Sequence, residues 1–91
     1  MPMTEKQERA LVALAECSDP VEDVWVFADQ VRGVLNLDAN DRSNHAPAIG
    51  GALSKLVEYG HARREWHPHM ACFQYQVTHR GIVYLREAGH R

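Results

Sequence analysis

The chain has 91 residues, 45% hydrophobic and 24% charged, an ordinary globular composition that excludes a disordered or fibrous protein. No apolar run approaches the roughly 20 residues that cross a bilayer, and residues 1–10 lack the apolar stretch of a signal peptide, so the expectation is a cytoplasmic protein with no membrane partner. The formal net charge of −2 hides a polarity: residues 1–41 carry nine acids against three bases, and residues 42–91 carry seven bases against three acids and all six histidines. That split suits a protein with one face turned to a polyanion.

The length predicts a single domain, residues 1–91. Its core is small, so homodimer formation is a reasonable source of added stability. Two cysteines, Cys17 and Cys72, are too few for a disulfide framework.

The spacing predicts a first helix from Thr4 to Cys17. Thr4 is a good N-cap, and Gln7, three residues on, can complete a capping box. Ala10, Leu11, Leu14 and Ala15 form its apolar stripe. Ser18-Asp19-Pro20 stops it, because proline cannot continue the hydrogen-bond ladder. Val24-Trp25-Val26 is short and β-branched and reads as a brief edge strand. A second helix follows over 27–35, with Phe27, Val31, Val34 and Leu35 inward. Residues 36–44 form a loop rich in Asn and Asp.

The third helix is predicted over 48–59, after Asn44-His45-Ala46-Pro47. Asn44 can cap it, and proline is tolerated in a first turn. Ile49, Leu53, Leu56 and Val57 make its buried stripe, which turns Ala48, Gly51 and Ala52 outward. Gly60 supplies the C′ position. The period then changes from 3.6 to 2. Ala62, Arg64 and Trp66 alternate with Arg63 and Glu65, and Phe73, Tyr75 and Val77 alternate with Gln74 and Gln76. Residues 67–71 form the tip of this β-hairpin. Thr78 caps a last helix that runs through Ile82 and Leu85 to Gly89. The aromatic residues Trp25, Phe27, Trp66, Phe73 and Tyr75 read as core and wing-packing groups.

The fold class is therefore mostly α with a small β-hairpin (α+β), in the order α-β-α-α-β-β-α. That is the order of a winged helix-turn-helix domain. Leu53-Ser54-Lys55-Leu56-Val57-Glu58-Tyr59-Gly60, then Tyr75-Gln76-Val77-Thr78-His79-Arg80-Gly81, then Leu85, resemble the C-terminal part of the MarR- and PadR-type bacterial transcription regulators. The resemblance implies that the first stretch ends a recognition helix. The second closes the wing and opens the next helix.

On that resemblance the third helix docks in the major groove of double-stranded DNA, its N-terminal half meeting base edges. Arg42, Ser43, Asn44, His45 and Gly51 are then the groove residues, although Ser43 and Asn44 read equally well as helix caps. Ser54 and Lys55 suit the phosphodiester backbone. Arg63, Arg64, His67 and His69 on the hairpin, and Arg80 on the last helix, are candidate phosphate contacts; a solvated hairpin accounts for the same residues. The first and last helices are the candidates for pairing two copies on a pseudo-palindromic site.

A second reading is a protein-interaction adaptor, of the kind a phage or mobile element encodes, without sequence-specific DNA binding. The bare Ala48, Gly51 and Ala52 face and the long preceding loop favour it. His67, His69 and Cys72 are weak candidates for a metal site, with His61 and His79 as further ligands; surface histidines are the simpler account. Cys17 reads as a small core residue rather than a redox partner of Cys72. No phosphate loop, nucleophile elbow or HExxH motif is present, so neither an enzyme nor a cofactor is expected.

Overall fold

The structure, a computed structural model, describes residues 3–35 and 46–89, with 46–48 described in backbone only. Within them the chain is α+β. The elements run α1 (Glu5–Cys17), β1 (Val26–Phe27), α2 (Ala28–Leu35), α3 (Ala46–Tyr59), β2 (Ala62–His67), β3 (Cys72–Val77) and α4 (His79–Glu87). The strands form an antiparallel sheet in the order β1-β3-β2. Among the described residues no helix is long and apolar enough to cross a membrane.

Thr4 begins α1 through a reciprocal capping box. Its Oγ1 accepts from the Gln7 amide at 3.2 Å, and Gln7 Oε1 accepts from the Thr4 amide at 3.1 Å. Ala10, Leu11, Ala13 and Leu14 then face a core shared with Val31 of α2, Ile49, Leu53 and Leu56 of α3, Val77 of β3 and Leu85 of α4. Ser18 ends the helix and does a second job. Its buried hydroxyl donates to the Leu14 carbonyl at 2.7 Å and accepts from the Val77 amide at 2.9 Å. The end of α1 is thereby fastened to the central strand.

Three expectations are corrected. Ala52 is buried, only 7% exposed, instead of facing outward with Gly51. It lies three residues after Ile49 and four before Leu56, on the same helical stripe. The hairpin tip is residues 68–71 and not 67–71, because His67 pairs with Cys72 and Ala71 turns the chain at φ +53°. Phe27 belongs to β1, opposite Gln74, and the preceding strand reading shifts from 24–26 to Val26–Phe27.

The root of the hairpin is held where α3, β2 and α4 meet. Gly60 takes φ +82°, which reverses the chain after α3. Thr78 Oγ1 donates to the Gly60 carbonyl at 2.7 Å and accepts from the Gly81 amide at 3.1 Å, capping α4. Gly81 lies so close to the His61 carbonyl that a Cβ there would collide with it. His61 itself is buried, its ring 4.8 Å from that of Tyr84, and its Nδ1 has no hydrogen-bond partner among the described residues. Burial, and then the nearby Arg80 charge, hold the His61 pKa below its ordinary value of 6.5.

The folded state therefore favours the neutral ring. Below pH 6.5 the unfolded chain takes up a proton that the folded chain resists, and stability falls as pH drops. The thermal midpoint is expected to be lower at mildly acidic pH than above neutrality, and the difference should shrink in His61→Phe. A parent-sized acid shift in that variant would assign the effect elsewhere.

Candidate nucleic-acid interface

The outward side of α3 carries Gly51, Lys55 and Glu58, all exposed, with Ser54 half-buried beside them. Among the described residues nothing lies within 4 Å of where a Cβ would sit on Gly50 or Gly51. Lys55 reaches Glu58 at 3.1 Å, one helical turn on, with both side chains more than half exposed. Such a surface pair contributes ~0.3–0.5 kcal/mol and yields readily to a stronger anion. Arg42, Ser43, Asn44 and His45 lie outside the described residues, as does the side chain of Ala48.

The hairpin separates its two adjacent arginines by strand alternation. Arg64 shares a face with Ala62 and Trp66. Its guanidinium lies 4.5 Å from the Phe73 ring centroid and reaches Ser54 Oγ at 3.4 Å. This contact joins the hairpin and α3 into one surface, bringing Gly51, Ser54, Lys55 and Arg64 together. Arg63 turns the other way. Its Nε donates to Gln76 Oε1 at 2.7 Å, a second nitrogen donates to the same oxygen, and its guanidinium lies 5.1 Å from the Trp25 ring centroid. Asp23 completes that cluster. Hydrogen bonds from Trp25 and Gln76, and the charge of Arg63, hold the Asp23 carboxyl below its usual pKa. Arg63 is thus engaged in holding the turn before β1, whereas Arg64 is presented beside α3.

Beyond the core the Arg64 face continues as an exposed aromatic ledge. Trp66 and Phe73 are paired across the strands, edge to face at 5.2 Å, and are 52% and 36% exposed. Tyr75, two residues along, is buried. Packing therefore accounts for Tyr75 but leaves much of Trp66 and Phe73 in solvent. The signal in the sequence was an alternation that outruns the available core.

His67 at the end of β2 and His69 in the tip have ring centroids 6.0 Å apart, and His67 Nδ1 accepts from the Met70 amide at 3.2 Å. Among the described residues no three His, Cys, Asp or Glu side chains converge to hold a metal, so the weak cluster His67, His69 and Cys72 is not assembled. Arg80 lies over Gly60 at the end of α3, and His79 is exposed at the start of α4. Cys17 is half-buried and donates to the Ala13 carbonyl; burial raises its thiol pKa. A groove of about 640 Å³ between α1 and α2 has an apolar floor of Val12, Ala13, Val34 and Leu35, rimmed by Glu5, Glu8, Arg9 and Glu16.

The two arginines should respond differently to truncation. Arg63→Ala removes two bonds to the buried Gln76 carboxamide and is expected to cost on the order of 1 kcal/mol in urea unfolding. Arg64→Ala should change stability by only a few tenths of a kcal/mol. Equal losses from the two would contradict this division of labour.

No protein-family model, no curated protein and no solved structure matches this chain.

Proposed function

We propose that the chain is a winged helix-turn-helix DNA-binding protein, a transcriptional regulator that works as a homodimer. In this reading α3 is the reading head in the major groove, and the β2–β3 hairpin is the wing on the flanking backbone or minor groove. The observation that carries it is the Arg64–Ser54 contact at 3.4 Å. It sets a cation of the hairpin beside the exposed side of α3, so that Gly51, Ser54, Lys55 and Arg64 form one surface for a polyanion. The bare glycine at 51 lets a phosphodiester backbone or a base edge approach the helix closely.

The alternative, a protein-interaction adaptor, draws on the same Gly50–Gly51 surface, since none of the described residues occupies it. The two readings part on salt. Binding to mixed-sequence duplex DNA should fall steeply as salt is raised, because each neutralised phosphate releases counterions. Gly51→Glu should remain folded and lose DNA binding, since a carboxylate there opposes the phosphates. Undiminished binding by that folded variant would remove α3 from the interface. An adaptor would show no salt-dependent DNA binding in the parent.

In this reading two copies pair through α1, whose exposed flank forms the groove with α2, or through α4. Neither helix is needed in the DNA groove. Sedimentation at micromolar concentration should give twice the 10.3 kDa chain mass. A 10.3 kDa species at every concentration, with and without DNA, would count against pairing.

A further inference from the structure

The aromatic ledge is not explained by packing or by phosphate contact. Trp66 and Phe73 meet with their ring planes at 80°, so the edge of one ring addresses the face of the other. Whichever ring supplies the edge, at least one face of the Trp66 indole is left unoccupied by Phe73, and the side chain is 52% exposed. Arg64 lies against Phe73 and is tied to Ser54, which fixes a cation at the inner end of the ledge. Aromatic faces flanked by a cation are what unpaired nucleotides use, stacking the base and neutralising the phosphate.

Size argues against a protein occupant. An aromatic side chain offers about 150–250 Å², so the exposed parts of Trp66 and Phe73 amount to roughly 200 Å². A stable protein interface needs about 800 Å² from each partner. Two half-exposed rings fall well short of that, whereas one nucleobase needs a single ring face. The neighbouring charges agree with a nucleic acid: on the Arg64 side of the hairpin and the adjoining part of α3, Arg64 and Lys55 stand against Glu58, whereas Arg63 and Glu65 turn to the other face.

We propose that the Trp66–Phe73 ledge is a base-stacking platform, on which an unpaired nucleotide next to the bound duplex lies against the Trp66 indole while Arg64 meets its phosphate. This deepens the DNA-binding reading and rests on it for the position of the duplex. The protein then prefers DNA with a single-stranded segment, such as an end, a bubble or a junction, over a fully paired duplex. No bond is made or broken; the platform only holds an unstacked base.

The test compares a blunt duplex with the same duplex carrying a short oligothymidine tail. The tailed duplex should bind roughly tenfold more tightly, the scale of one or two stacked bases. Trp66→Ala should erase that preference and leave blunt-duplex affinity unchanged, and Trp66→Phe should keep part of it. In a Trp25→Phe background Trp66 is the sole tryptophan, and under excitation selective for indole the tail should quench its fluorescence where the blunt duplex does not. Equal affinity for tailed and blunt duplexes, with no quenching, overturns the platform and leaves the DNA-binding proposal standing. Quenching by free oligothymidine without any duplex binding supports the platform and overturns the duplex-reading proposal. Loss of self-association in Trp66→Ala, with DNA preference intact, makes the ledge a protein contact and also overturns the platform.

Discussion

A single buried carboxamide sets the geometry of the sheet. Gln76 sits on the central strand with no exposed surface, and every polar atom of its side chain has a partner. Its Oε1 accepts from Arg63, and its Nε2 donates to the Asp19 carbonyl at 3.0 Å, to Asp23 Oδ1 at 3.2 Å and toward the Val24 carbonyl at 3.4 Å. Leaving such a group unpaired costs ~1–3 kcal/mol, so the strand and the turn must be placed together or not at all. Ser18 repeats the logic one residue along by taking the Val77 amide. The segment from Ser18 to Val24 is therefore an extension of the sheet edge in hydrogen-bonding terms. It carries the chain into β1, and β1 delivers it to α2. The direction in which the hairpin leaves the core follows from the same cluster, because Arg63 belongs both to the hairpin and to the Gln76 bonds.

Much of this architecture was legible in the residues. The capping box at Thr4 and Gln7, the glycine after Tyr59 and the cap at Thr78 are local signals whose physics involves only near neighbours, and each lies where the spacing put it. Gln76 was less legible. Strict alternation assigns it to a polar face, and that face is polar, but the turn from α1 folds over it and excludes water. Nothing in a window of a few residues reveals a partner more than fifty positions away. Ala52 is a different case. The signal was present, since its spacing to Ile49 and Leu56 is helical, but a methyl group beside Gly51 was grouped with the bare surface. Its burial reflects how closely α3 packs against its neighbours.

The candidate interface shows the same division. That Arg63 and Arg64 face opposite ways is dictated by the strand repeat, yet which face is free depends on Trp25, Asp23 and Gln76 converging on Arg63. Charge counting treats the two as equivalent, and structure does not. The aromatic residues divide likewise. Tyr75 lies over the core and is covered, whereas Trp66 and Phe73 lie past its rim. A hairpin longer than the core beneath it necessarily projects one side of its sheet into solvent. The residues at 42–45 on which base readout was expected lie outside the described part of the chain.

The contact between Gly81 and the His61 carbonyl has a mechanical consequence. With no side chain between them, α4 rests directly on the backbone that joins α3 to β2. Side chains can change rotamer to absorb a small displacement, but two touching backbones cannot. A load applied along the last helix, by a bound molecule or by a twin subunit, is thus transmitted without slack to the corner from which both the third helix and the hairpin depart. The position of α4 is thereby tied to the base of the hairpin, with no side chain between them to take up a shift.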